Sequence, residues 1–126
     1  MGAHAGKIYW GATVLFALAL GGSAAMNLIS HPEIMKSMAS LNFPEWFPPY
    51  LGAWKAAGVI VLLAPGLPRL KEWATAGFTV SLVSASAAHI FNGDPIATAV
   101  PPLVLLSLCL VSWAFRPASR RLSIPK

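Results

Sequence analysis

The run Leu51-Gly-Ala-Trp-Lys-Ala-Ala-Gly-Val-Ile-Val-Leu-Leu-Ala-Pro-Gly-Leu-Pro-Arg-Leu-Lys-Glu-Trp-Ala-Thr-Ala-Gly-Phe78 decides the fold. Two apolar stretches meet at Pro65-Gly-Leu-Pro-Arg69, where two prolines in five residues stop one helix and permit the next. Extended in both directions, the first stretch runs from Tyr50 to Leu67, 18 residues with one charge, Lys55. The second runs from Trp73 to Phe91, 19 residues with no formal charge and one histidine, His89. A helix needs about 20 apolar residues to cross the hydrocarbon core, with roughly 17 to 25 allowed. The pair therefore reads as a helical hairpin through a membrane.

Outward from the hairpin lie two more such runs. Ile8 to Ile29 has 22 residues and Thr98 to Phe115 has 18, neither carrying a charge. The runs are continuous and lack the alternation of a barrel wall, so helices are expected rather than strands. Ile8–Ile29 is too long for the usual apolar region of a signal peptide and is expected to be retained. The expected fold is all-α: a four-transmembrane-helix bundle, one domain over residues 1–126, with a short outer-loop helix between the first two spans.

Composition agrees. Of 126 residues, 56% are hydrophobic and 10% charged, and mean hydropathy is +0.65. Soluble domains carry about 25% charged residues. This excludes a soluble enzyme, a disordered tail and a nucleic-acid-binding module. The net charge of +5 fits membrane topology better than nucleic acid. With both termini inside, Lys7, Arg69, Lys71, Arg116, Arg120, Arg121 and Lys126 share the cytoplasmic side, and the outer side holds only Lys36. That is a clear positive-inside bias. Tyr9, Trp10, Trp73, Trp113 and Phe115 would form the inner aromatic belt, and Phe43, Trp46, Phe47, Tyr50 and Trp54 the outer one. The basic tail from Arg116 to Lys126 is expected to contact anionic lipid.

Small residues recur at spacing four: Ala17, Gly21 and Ala25; Gly52 and Ala56, with Gly58 nearby; Gly77, Ser81 and Ala85. Such stripes let helices approach closely in lipid. The third span is richest in small and polar residues, so it is expected to face protein on most sides. Pro101 and Pro102 lie near the start of the fourth span, where they cost few internal hydrogen bonds.

The connection Ser30–Pro49 is too apolar for a plain linker. His31-Pro-Glu-Ile-Met-Lys-Ser-Met-Ala-Ser40 predicts a short helix opened by Pro32, with Ile34, Met35 and Met38 on one face. Asn42–Pro49 predicts an extended or turn segment. The connection fits a lid over a cavity and, equally, a segment lying on the outer leaflet.

The alternating topology brings several polar residues to one side at similar depth: Asn27, His31, Lys55, His89, Asn92 and Asp94. Ionisable groups within spans point to function by default. Lys55 can snorkel to the interface, pair with Asp94, or meet an anionic or quinone-like head group. His89 can bond a neighbouring serine or Asn27, or handle protons and carbonyls of a redox ligand. Glu72, at the start of the third span, is expected to favour the helix dipole and pair with Arg69. The candidate ligand-binding residues are Lys55, His89, Asn27, His31, Asp94 and Trp54. No catalytic residue and no metal site is assigned. Phosphate loops, dinucleotide fingerprints, serine elbows and zinc-protease helices are absent from the sequence. His4, His31 and His89 have no metal-ligand spacing, and the single cysteine, Cys109, excludes an internal disulfide and a multi-cysteine cluster.

The stretch Leu51–Phe78, continued through Ala85, Ala88-His89, Gly93-Asp94 and Arg116-Pro117, resembles the DoxX-like family of small bacterial membrane proteins. The resemblance covers nearly the whole chain. It implies four transmembrane helices in the bacterial cytoplasmic membrane and a link, in some relatives, to quinone-dependent redox complexes. Thr75 stands where relatives often carry Tyr, and Ser81 where they often carry an acid. The expected function is binding of a hydrophobic small molecule, a quinone or a lipid, in an outer-leaflet cavity. Lys55, His89 and Asn27 would contact its polar end. The isolated chain is not expected to be an enzyme, and no cofactor is evident beyond that quinone. The alternatives are a membrane subunit of a quinone-linked oxidoreductase, which needs a redox partner protein, and a scaffold or assembly factor. A homo-oligomer is compatible with the sequence. A transporter is not expected, since no inverted repeat is visible.

Overall fold

The structure, a computed structural model, describes residues 4–121. Lys126, counted above among the cytoplasmic cations, lies outside the described residues. Among the described residues all regular structure is helical: α1 (Ala5–Leu28), α2 (Pro32–Ser40), α3 (Phe47–Leu63), α4 (Pro68–Phe91) and α5 (Val100–Ala114). Short 3₁₀ turns, Ile96–Ala99 and Ala118–Arg120, flank α5. α1, α4 and α5 with its leading turn are long and apolar enough to cross a membrane, and α3 is apolar but shorter, at 17 residues.

The helix limits differ from the apolar runs where prolines act. α3 begins at Phe47, so the last three residues of the segment expected to be extended, Phe47-Pro-Pro49, are helical. Proline fits the first turn because its missing N–H has no intrahelical partner there. α4 likewise begins at Pro68, five residues ahead of Trp73. α3 stops at Leu63, because the following turn uses left-handed backbone at Gly66 (φ 70°) and Leu67 (φ 55°). Pro101 and Pro102 fall in the first turn of α5.

α1 packs on α3 and α5, and α4 packs on α5 and, less closely, on α3. The core holds Phe16, Leu20, Val59, Leu62, Phe78, Leu82 and Cys109, with Phe16 set edge-on to Phe78 at 5.1 Å. Two glycines of α3 set the spacing. A Cβ on Gly52 would lie 2.7 Å from Asn27 Cβ and 2.9 Å from the Leu28 backbone nitrogen, and one on Gly58 would lie 2.6 Å from the Phe78 ring. Small-residue packing thus operates at α3. A Cβ on Gly21 or Gly77 would meet nothing within 4 Å.

The most enclosed helix is α1, not α4. Tyr9, Thr13, Phe16, Leu20, Ala24 and Asn27 of α1 are buried, whereas α4 buries only Lys71, Phe78, Leu82 and Ser86. The polar residues of α4 do not need protein cover on every side. Thr79 donates to its own helix at Thr75 O (2.8 Å), and Ser86 donates to Ala99 O (2.9 Å).

Candidate functional site

One end of the molecule carries α2, the start of α3 and the end of α4. His31 caps α2, its Nδ1 accepting the Glu33 N–H at 3.2 Å. Pro32 occupies the first turn, and Ile34, Met35 and Met38 are the half-buried face, as their spacing predicts. Met38 of that face borders a cavity of about 370 Å³, which is bounded also by Leu41 and Phe47 and by Ser84, Ala88 and His89 of α4. A second cavity, about 440 Å³, runs as a groove between α3 and α4. Trp54, Lys55, Gly58 and Val61 form one wall, and Leu70, Trp73, Gly77 and Phe78 the other. The two spaces share Leu51 and Ser81. Small side chains explain the groove: Ala57 and Gly58 face Ala74 and Gly77, and a Cβ on Gly77 would meet only open space.

The six residues singled out in the sequence fall into three groups. Lys55 and Asn27 meet: the Lys55 ammonium donates to Asn27 Oδ1 at 3.2 Å and to Ser23 Oγ at 2.9 Å. Asn27 is 0% exposed, donates to Pro48 O at 3.0 Å and borders neither cavity. It ties α1 to the first turn of α3 rather than facing open space. His89 and Asp94 form a second group, Nδ1 to Oδ2 at 2.8 Å, with Asn92 Nδ2 donating to Asp94 Oδ1 at 3.0 Å. The left-handed Gly93 (φ 79°) turns the chain so that the Asp94 N–H reaches His89 O. His89 therefore bonds neither a serine nor Asn27, and Asp94 pairs with it rather than with Lys55. The imidazole borders the α2 cavity, and its Nε2 has no hydrogen bond among the described residues. His31 serves its own helix, and Trp54 is exposed on the wall of the groove.

The opposite end holds residues whose roles the sequence hides. α3 finishes with its last carbonyls pointing toward two cations. Lys71 Nζ donates to Val61 O (2.5 Å) and to Ala64 O. Arg120 donates to Leu62 O (2.8 Å), Leu63 O (3.4 Å) and the Tyr9 hydroxyl (3.1 Å). A helix end leaves four carbonyls without intrahelical partners, and positive charge there also suits the dipole. Lys71 is only 4% exposed and Arg120 only 7%. Arg120 is thus part of the interior, not of a tail laid on lipid, and Tyr9 is buried beneath it rather than set in a belt. Glu72 pairs with Arg116 at 3.0 Å and accepts from Trp113 Nε1 at 2.8 Å, so its cation comes from beyond α5 instead of from Arg69. Thr13 and Ser112 bond across α1 and α5 at 2.5 Å. The sequence signal for this end is Lys71, a basic residue shortly after the stop of α3, whereas Arg120 comes 57 residues after Leu63 and carries none. Only about 20 Å³ is left open there.

No His, Cys, Asp or Glu grouping among the described residues could hold a metal ion. The arrangement offers instead an apolar space with one ammonium and one carboxylate-oriented imidazole at its polar end.

The DoxX-like family model matches residues 11–112, which include α2, α3, α4 and both cavities. The chain belongs to the DoxX-like family. No curated protein and no solved structure matches it. With its long apolar helices, this DoxX-like chain is a membrane protein. The family resemblance read from Leu51–Phe78 is therefore shown, and that stretch forms most of the groove.

Proposed function

We propose that this DoxX-like protein binds a hydrophobic small molecule, a quinone or a lipid, in two adjoining cavities, one under α2 and one running from there along α3 and α4. It does so as a bundle of four spans in the bacterial cytoplasmic membrane, with both termini inside and α2 on the outer side. The observation that carries the reading is the pair of cavities, about 440 and 370 Å³, sharing Leu51 and Ser81. Small-molecule sites occupy about 300–1,000 Å³, are lined mostly by apolar side chains, and carry a few placed polar groups. Here those groups are Lys55 on the groove and His89 under α2. The half-buried Met38, on the wall of the smaller cavity, suits a cover that adapts to its contents. The distribution of Lys and Arg supports the orientation.

Native mass spectrometry of protein extracted in mild detergent tests the reading. The wild type is expected to carry a stoichiometric small molecule that His89→Ala or Gly77→Leu loses. A bare protomer from wild-type membranes sinks it. Labelling of Lys36→Cys by an impermeant thiol reagent in intact cells tests the orientation. Protection of that cysteine would reverse it.

A further inference from the structure

Lys55 is a half-buried cation with no carboxylate partner among the described residues. The chain has four acids, and each sits elsewhere. Glu72 pairs with Arg116 and Asp94 with His89. Glu33 and Glu45 are exposed on α2 and in the α2–α3 connection, and neither pairs with Lys55. Among the described residues the ammonium meets two neutral oxygens, on Ser23 and Asn27, with two of its three N–H donors. A charge placed among apolar helices is costly unless a counter-charge joins it.

The groove that Lys55 borders has a direction. Leu51, Lys55 and Ser81 stand at one end, and Val61, Leu70 and Trp73 at the other. From Leu51 to Val61 the α3 wall spans roughly 15 Å, at about 1.5 Å per residue. Beyond Lys55 its lining is apolar, and it lies between two helices only, a width suited to one chain. We propose that its occupant is a single-chain amphiphile with an anionic head, a long-chain carboxylate whose head group pairs with Lys55 and whose tail lies along Gly58, Gly77 and Phe78. This rests on the binding reading above and narrows its ligand class.

The test is equilibrium binding of radiolabelled oleate to the full chain in maltoside detergent, with oleyl alcohol, decylubiquinone and dioleoyl phosphatidic acid as competitors. Oleate is expected to bind about tenfold more tightly than the alcohol, as a charged hydrogen-bond partner allows. Lys55→Met is expected to bring the acid and the alcohol to equal affinity, while Lys55→Arg keeps the preference. Gly77→Leu is expected to lose both ligands. Equal wild-type affinity for acid and alcohol, or tighter binding of the quinone, overturns the anionic-head proposal and leaves the binding reading standing. Tighter binding of phosphatidic acid than of oleate overturns the single-chain assignment. Binding of none of the four overturns both. The wild-type comparison decides the matter even if a Lys55 variant fails to fold.

Discussion

Lys71 and Lys55 stand at opposite ends of the helices and show two ways of placing an ammonium among apolar residues. Lys71 closes the end of α3, bonded to Val61 O and Ala64 O, with Arg120 taking Leu62 O and Leu63 O beside it. Only about 20 Å³ is left open around that cluster. Lys55 rests on a serine and an asparagine beside a groove of about 440 Å³. A cation that completes a helix end leaves no room, because carbonyl partners must pack tightly around it. A cation bordering a cavity has room because its partners are few. The cations at one end thus build the fold, whereas Lys55 toward the other borders an open groove.

The largest effect that could break this contrast is at the closed end. Arg120→Leu leaves two α3 carbonyls and the Tyr9 hydroxyl without their donor. It is expected to lower the unfolding free energy by about 3 kcal/mol, read from denaturation in mixed micelles. An unchanged midpoint would mean that the cluster is surface decoration. Next is the packing that holds the open end in place. Gly52→Ala drives a Cβ against the Asn27 side chain and the Leu28 backbone, and about 2 kcal/mol of destabilisation is expected by the same assay.

Matching substitutions of the two lysines sharpen the contrast further. Lys71→Met is expected to cost about 1–2 kcal/mol through orphaned carbonyls. Lys55→Met is expected to stay within about 1 kcal/mol, since removing a poorly paired buried charge offsets the lost hydrogen bonds. Equal losses would dissolve the distinction. The smallest stability change is expected for Gly77→Leu, about 0.5 kcal/mol or less in either direction. Open space receives the side chain, and leucine is the better helix former. Its effect should appear only in ligand retention.

The apolar runs, the proline turn and the face of α2 were legible because each depends on local spacing. The start of α3 was not, since Phe47-Pro-Pro49 suits an extended segment as well as a first helical turn, and only packing against Asn27 distinguishes them. Lys55 and His89 stood out as ionisable groups in apolar runs. Their partners did not, because a shared depth does not tell which side chains face each other: Lys55 turned to α1 and His89 to its own chain end. Arg120 escaped notice because a basic residue after the last apolar run reads as a lipid contact. Its destination, the end of a helix nearly sixty residues earlier, is a tertiary fact. The enclosure of α4 was overestimated because hydroxyls count as polar in a sequence even when their own helix satisfies them.

The length of α3 has a consequence for the bilayer itself. Seventeen residues rise roughly 25 Å, short of a hydrocarbon core about 30 Å thick. On the proposed four-span topology the shortfall would lie where Lys71 and Arg120 sit under the helix end, at a depth that lipid tails would otherwise fill. Acyl chains beside a spanning α3 would shorten or tilt to match it, at a cost of fractions of a kcal/mol per Å. The protein should therefore favour regions of thin membrane and draw short-chain lipids to the flank that bears the groove.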